Sequence, residues 1–220
     1  MVIYYLILEY LLILKYQILG KFISYPNQYL NGSKIAICLI GVNENWYFLK
    51  YIADILNKNE YKIIFLENYD YSKPINKLTL IVRKYIKNND LNNVILVGHS
   101  KGGIVARCVS NSFKNEPNRI EKVICIATPN QGTLWGYLRF SNIIELIPKS
   151  NLLKNLNLTI DDKVFNFYPL MDNHVIPNKN LLIPNSKNNV LISIVGHTRI
   201  LMCDELNQKI STFIQLLIIM

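Results

Sequence analysis

From residue 34 onward the chain alternates short apolar runs with segments whose apolar residues recur every three or four positions. Unbroken apolar runs of four to eight residues mark strands buried on both faces. The longer spacing marks helices with one buried side. Lys34–Ile40 (KIAICLI), Tyr61–Leu66 (YKIIFL), Asn93–Val97, Val123–Ala127 (VICIA), Val164–Pro169 and Val190–Val195 read as six strands. Asn45–Asn57 places Trp46, Leu49, Ala53 and Leu56 on one helical face. Ser72 is the expected N-cap of a helix with Pro74 in its first turn and Leu78, Ile81, Val82 and Tyr85 along it. Gly102–Phe113 reads as a further helix. Cys203–Ile218 closes the chain with an inner stripe of Leu206, Ile210, Phe213 and Leu217. This succession predicts an α/β fold, a mostly parallel sheet of about six strands with helices on both faces. Ligands are then expected at the carboxyl ends of the strands.

Two segments depart from the rhythm. Val2–Leu14 is almost wholly apolar, interrupted only by Glu9. An uninterrupted membrane span needs roughly 17–25 apolar residues, and neither a basic leader nor a small-x-small cleavage site accompanies this run. Residues 1–25 are therefore read first as a hydrophobic helix, packed on the domain or lying on a membrane surface. An uncleaved anchor comes second and a signal sequence third. Residues 133–163 are rich in Leu134, Trp135, Tyr137, Phe140, Ile143, Ile144, Leu146 and Ile147 without a long strand run. Either a cap over a site or a helix packed on the core accounts for them. The rest, residues 34–220, forms one domain.

Composition narrows the classes. At 220 residues and 50% hydrophobic content the chain suffices for one large core. The net charge of +9 fits a lysine-rich solvated surface or attraction to anionic membranes or substrates. No basic block is dense enough for a nucleic-acid groove, so no nucleic-acid partner is expected. The four cysteines form no C-x-x-C pair and read as free thiols, which favours a reducing compartment. Cytoplasmic and membrane-associated locations both stay open, as does the oligomeric state.

The stretch VILVGHSKGG, residues 94–103, carries the chemistry. A G-x-S-x-G between a strand and a helix forces a turn so sharp that the residues two before and two after the serine must be small. Gly98 and Gly102 meet that need and lift Ser100 above the sheet edge as a nucleophile. Neither a phosphate-loop nor a dinucleotide spacing is present. A serine hydroxyl needs a base. His197, in VGHT just after the last strand, is preferred over His174, and His99 reads as a packing residue of the turn. Asp172 follows the fifth strand and gives the order Ser100, Asp172, His197. Asp161, Asp162 and Asp204 are rivals, the first two at the other edge or in the cap and the third in the closing helix. Backbone N–H groups of Lys101 and Val42 are the candidate oxyanion donors. No histidine has a metal-ligand spacing, and no metal is expected.

These residues resemble the α/β-hydrolase superfamily, and within it lipase-like esterases. GHSKGG is similar to the family's elbow. CLIGV stands where lipases carry their oxyanion motif, TPNQGT (Thr128–Thr133) resembles the segment after the strand that follows the elbow helix, and DNHVIP and GHT complete the set. The resemblance implies carboxylic ester hydrolysis, plausibly of lipid or acyl esters, through an acyl-serine intermediate without a cofactor. An acyltransferase using the same triad, or a non-catalytic binding protein of the same fold, would share the pattern. The family's oxyanion histidine is Ile40 here, so an ordering bond of that loop is expected to be missing. The N-terminal strands of larger relatives are absent, which makes the chain a compact version.

Overall fold

The computed structural model describes residues 2–66, 69–138, 143–158 and 161–219, with the backbone alone at 2, 3, 218 and 219. Six strands form one sheet: β1 (Lys34–Leu39), β2 (Tyr61–Ile64), β3 (Val94–His99), β4 (Ile120–Ile126), β5 (Val164–Met171) and β6 (Asn189–Val195). Their order is β2-β1-β3-β4-β5-β6, and every neighbouring pair is parallel. Six helices accompany them: α1 (Val2–Phe22), α2 (Lys50–Lys58), α3 (Ile75–Asn88), α4 (Lys101–Ser112), α5 (Asn151–Leu156) and α6 (Asp204–Ile219).

The period-two geometry of a strand explains why the apolar runs carry no polar alternation. Ala36 and Cys38 of β1, Ile95 and Val97 of β3, and Ile124 and Ile126 of β4 bury against one helical layer. That layer includes Tyr16 of α1, Ile52 and Leu56 of α2, and Leu206, Ile210 and Ile214 of α6. The intervening residues Ile37, Leu39, Leu96, Val123 and Cys125 bury on the other side against Leu78 and Val82 of α3 and Ile104, Val105 and Val109 of α4. Both faces are thus dry, and function is confined to the sheet's edges and ends.

Several expectations shift locally. Asn45–Asn57 is not one helix. Asn45 caps Tyr47 N–H at 3.0 Å and opens a 3-10 turn, Trp46–Leu49, before α2 begins. Ser72 is not an N-cap, because Asp70 holds both its amide (2.9 Å) and its hydroxyl (2.7 Å). Pro74 stands at the cap position without a side-chain bond. The Ile75 N–H instead donates to Glu145 Oε2 at 2.7 Å, a residue 70 positions away. The inner stripe of α6 runs through Leu206, Ile210 and Ile214. Phe213 lies at its margin, its ring 4.3 Å from that of Phe165.

The segment after β4 divides between its two readings. Leu146, Leu153 and Leu156 join the α3/α4 core. Leu134, Trp135, Tyr137, Leu138 and Ile144 stay exposed. Phe140 lies outside the described residues. Among those residues no helix is long and apolar enough to cross a membrane.

A buried amide network ties this segment to the sheet. Asn130 Nδ2 donates to Asn166 Oδ1 (2.9 Å) and to the Leu181 carbonyl (2.7 Å), while its Oδ1 accepts from Arg107 Nη1 (2.8 Å). Asn166 reaches Asn189 Oδ1 at 2.8 Å. Helix α4, the β4 exit, β5 and β6 are linked in one chain of bonds. Asn130→Ala leaves a guanidinium N–H and an amide oxygen short of partners in the interior. It is expected to cost about 2–4 kcal/mol, read as a lower urea midpoint at unchanged m-value.

Candidate active site

β3 ends at His99 and α4 begins at Lys101, so Ser100 alone makes the turn, at φ 52° and ψ −123°. A side chain at positive φ is strained and persists only where the surroundings over-determine it. Here they do. A Cβ at Gly98 would lie 2.5 Å from the Gly102 carbonyl carbon, and one at Gly102 would lie 2.1 Å from Leu39 O of β1. The Ser100 N–H donates to Ile126 O of β4 at 3.0 Å, and its carbonyl accepts from Gly103 N–H at 3.0 Å. Ser100 remains partly exposed.

The loop after β1 closes against this turn. A Cβ at Gly41 would stand 2.9 Å from Ser100 Cβ, so the backbone preceding Val42 touches the candidate nucleophile. The ordering bond expected to be missing at Ile40 has a substitute. Glu44 Oε2 accepts the Gly41 N–H at 2.6 Å, and Glu44 Oε1 lies 2.5 Å from His99 Nδ1. His99 Nε2 in turn faces the His197 carbonyl oxygen at 3.1 Å. Both ring nitrogens of His99 face oxygen atoms, one of Glu44 and one of the His197 backbone. His99 is thus more than a packing residue. It joins the loop after β1 to the loop after β6.

Asp172 directly follows β5, and His197 lies two residues beyond β6. Their side chains meet, with His197 Nδ1 2.7 Å from Asp172 Oδ2, and both residues are buried. Asp172 Oδ1 accepts the N–H groups of His174 (2.7 Å) and Val175 (2.8 Å). Burial pushes the Asp172 carboxyl upward, but the facing imidazole and these bonds hold it below its ordinary value. Burial pulls the His197 imidazole downward. The facing Asp172, with Glu44 and Glu9 further out, outweighs burial and leaves its pKa above the usual 6.5. With Nδ1–H directed at Asp172, Nε2 is the nitrogen able to take a proton.

The His174 ring packs 4.6 Å from that of His197. Burial, then the neighbouring His197, drops its pKa to about 3, so it is a neutral spacer in the physiological range. The rival acids are elsewhere. Asp161 accepts from Ser110 of α4, the Asp162 carbonyl accepts from Asn188, and Asp204 is the first residue of α6. Lys101 opens α4, placing its N–H at the positive end of the helix dipole beside Ser100. Its ammonium is buried and donates to the carbonyls of Tyr71 (2.8 Å) and Lys73 (2.9 Å).

The exposed apolar residues of the cap segment border the acid loop. Trp135 Nε1 donates to Asn173 O at 3.2 Å, Thr133 Oγ1 to His174 O at 2.8 Å, and Leu134 N–H to Ile176 O at 2.9 Å. Tyr10 of α1 approaches His174 from outside, with ring centres 6.2 Å apart. A larger cleft of about 1090 Å³ starts at Ile40 and Glu44 and runs along the edge strand β2. Ser100, Asp172 and His197 are not among its walls.

Two participants escape sequence reasoning, Glu44 and Glu9. Glu9 carried a signal, the one charge within the apolar run 2–14. Glu44 carried none beyond its place three residues after Gly41.

A GPI inositol-deacylase of Candida albicans is 26% identical over 143 residues, 61% of this chain and 32% of that protein. A Mycoplasma pneumoniae protein with the provisional name esterase/lipase 3 is 36% identical over 72 residues, 33% of this chain and 25% of the other. The chain thus spans between a quarter and a third of the length of these curated relatives. Among solved structures, an α/β-hydrolase enzyme from the metagenome of Mar Chica lagoon sediments in Morocco superposes with TM-score 0.61 at 18% identity. That match covers 83% of this chain and 90% of the other. A structure of the metagenome-derived lipolytic enzymes LipS and LipT gives TM-score 0.63 at 12% identity over 84% and 94%. The compact α/β-hydrolase architecture is therefore shared, and a family model described as the PGAP1-like alpha/beta domain matches residues 60–216. With most of its length inside that match, the chain belongs to the PGAP1-like alpha/beta domain family.

Proposed function

We propose that the protein is a serine hydrolase that cleaves carboxylic esters, with acyl esters of lipids as the substrate class. The observation that carries this reading is the positive-φ turn at Ser100, at the sheet edge where the buried His197–Asp172 pair also stands. Ser100 Oγ attacks the ester carbonyl carbon while His197 Nε2 takes its proton. The Lys101 and Val42 N–H groups receive the oxyanion. The tetrahedral species collapses, the alcohol leaves with the proton held by His197, and the acyl group stays on Ser100. Water, deprotonated by His197, then releases the carboxylic acid and restores the hydroxyl. The inositol-deacylase name of the Candida relative supports an acyl group carried on a polyol or lipid.

The outer face of α1 supports work at a lipid surface. Tyr4, Ile7, Leu11, Leu14, Ile18 and Phe22 repeat at three- and four-residue spacing and are all exposed, as are Trp135, Tyr137 and Leu138 beside the acid loop. The helix is apolar nearly all round, and an apolar face left exposed in this way is suited to contact with a lipid surface. A membrane-associated location follows from this reading.

The following outcomes test it. p-Nitrophenyl esters from acetate to palmitate are expected to be hydrolysed, with an optimum at medium or long chains. Ser100→Ala should abolish both turnover and labelling by a fluorophosphonate. No turnover at any length and no label on Ser100 would sink the reading in favour of a binding protein. Because the base must be neutral and its pKa is raised, kcat/KM should climb through a single acidic limb centred above pH 6.5. Asp172→Asn removes the charge that raises it and the acceptor that sets the tautomer, and should lower kcat by on the order of 10³–10⁴. In flotation with vesicles, the wild-type chain should rise with anionic more than zwitterionic lipid, and a Leu11→Glu, Leu14→Glu double variant should stay at the bottom.

A further inference from the structure

Helix α1 carries a charge that the reaction scheme leaves unused. Glu9 is the sole acidic residue of α1, and it is fully buried. Its Oε1 accepts the Thr198 N–H at 2.5 Å and its Oε2 the Arg199 N–H at 3.2 Å, the two amides that directly follow His197. On the other side of His197 stands Gly196, at φ +124°, where a Cβ would lie 2.4 Å from Glu9 Oε2. The Arg199 side chain closes the same turn. Its Nη1 donates to Val195 O at 2.7 Å, and its guanidinium sits 4.9 Å from the Tyr5 ring centre on α1. The turn from Val195 to Arg199 is wrapped around one carboxylate.

The same helix also holds the loop that carries Val42. Asn45 Nδ2 donates to Tyr16 O at 3.1 Å, and Gln17 Nε2 donates to Asn43 O. A helix that only packed could bury a leucine at position 9 without a desolvation cost. A buried carboxylate costs solvation and returns directed bonds. Here the bonds go to the backbone on the C-terminal side of the base.

We infer that α1 is part of the active-site framework and that Glu9 is a positioning residue for His197, its carboxylate fixing the turn that presents the imidazole. The kinetic side of this inference rests on the esterase reading. Neither α1 nor Glu9 falls within the matched family segment, which begins at residue 60.

The charged and titratable groups around the imidazole are Asp172 and His174 from the acid loop, His99 from β3, Glu44 from the loop after β1, and Glu9 with Arg199. Glu9 adds to the field that raises His197. Removing its charge lowers the imidazole pKa, so the neutral base persists to lower pH.

The test uses the full chain and its Glu9→Gln variant, with two readouts. One is the titration midpoint of the His197 ring nitrogens by NMR. The other is kcat and KM on a p-nitrophenyl ester. In the variant one amide loses its carboxylate acceptor and meets an NH₂ group. The expected result is a kcat lower by about 10–100-fold with KM nearly unchanged. The His197 midpoint and the acidic limb of kcat/KM should both move to lower pH. Wild-type kcat with an unmoved midpoint overturns the inference. A lower kcat with an unmoved midpoint reports a general structural role and overturns it as well. If the wild-type chain neither turns over esters nor labels at Ser100, the esterase reading fails by itself. The NMR titration then decides alone, a lowered midpoint upholding the positioning role and an unmoved one refuting it. Should Glu9→Gln not fold, Glu9→Asp replaces it, keeping the charge but withdrawing it by one methylene. A fall in kcat at wild-type KM then supports the inference, and unchanged kcat overturns it.

Discussion

Among the described glycines the tightest approach to backbone is at Gly102, where β1, β3 and α4 meet beside Gly98. A Cβ at Gly102 would come within 2.1 Å of Leu39 O, a rigid backbone atom that cannot yield. Because nothing larger than hydrogen stands there, α4 can start one residue after β3 ends. That abrupt start forces Ser100 into positive φ and aims it out of the sheet edge. The strain is borne by two dry faces, in which residues such as Ile95, Val97, Leu96 and Val105 are wholly buried. A close-packed interior of this kind deforms little and keeps the turn in one shape.

Around that fixed point the site is assembled by buried carboxylates. Asp172, Glu44 and Glu9 come from three different parts of the chain. Each grips backbone N–H groups as well as, or in place of, an imidazole. Asp172 holds its own loop and the His197 ring. Glu44 holds Gly41 and His99. Glu9 holds the turn after His197. Negative charge so disposed favours an imidazolium at the centre, and a proton taken by His197 is stabilised from several directions at once. Desolvation makes each of these carboxylates costly alone. Their backbone partners are what render them tolerable inside the protein.

Most of the fold was legible because its determinants are local. Unbroken apolar runs located all six strands within a few residues, and the glycines around Ser100 announced the turn by steric need alone. Asp172 and His197 could be proposed because each follows a strand whose carboxyl end lies at the same edge. What escaped depended on partners distant in the chain. Ser72 was read as a cap from its neighbours, while the real acceptor for Ile75 is Glu145. His99 looked like filler because its partner Glu44 sits 55 positions away. The helix expected over Asn45–Asn57 carried the right periodicity, yet the Asn45 cap tightened its first turn to 3-10 geometry. Periodicity reports which side is buried, and says little of which polar atom will find which other.

The contact between Glu9 and Gly196 has an evolutionary consequence. The two positions are 187 residues apart, counted as 196 − 9, and neither is intelligible without the other. A side chain at Gly196 would press on the Glu9 carboxylate and would be strained at φ +124° in any case. Once a lineage shortens or loses that glutamate, the turn must find new acceptors for two amides. A change in the helix therefore alters what the histidine turn requires. Among descendants of this chain, the N-terminal helix and the histidine turn are bound to drift as a pair.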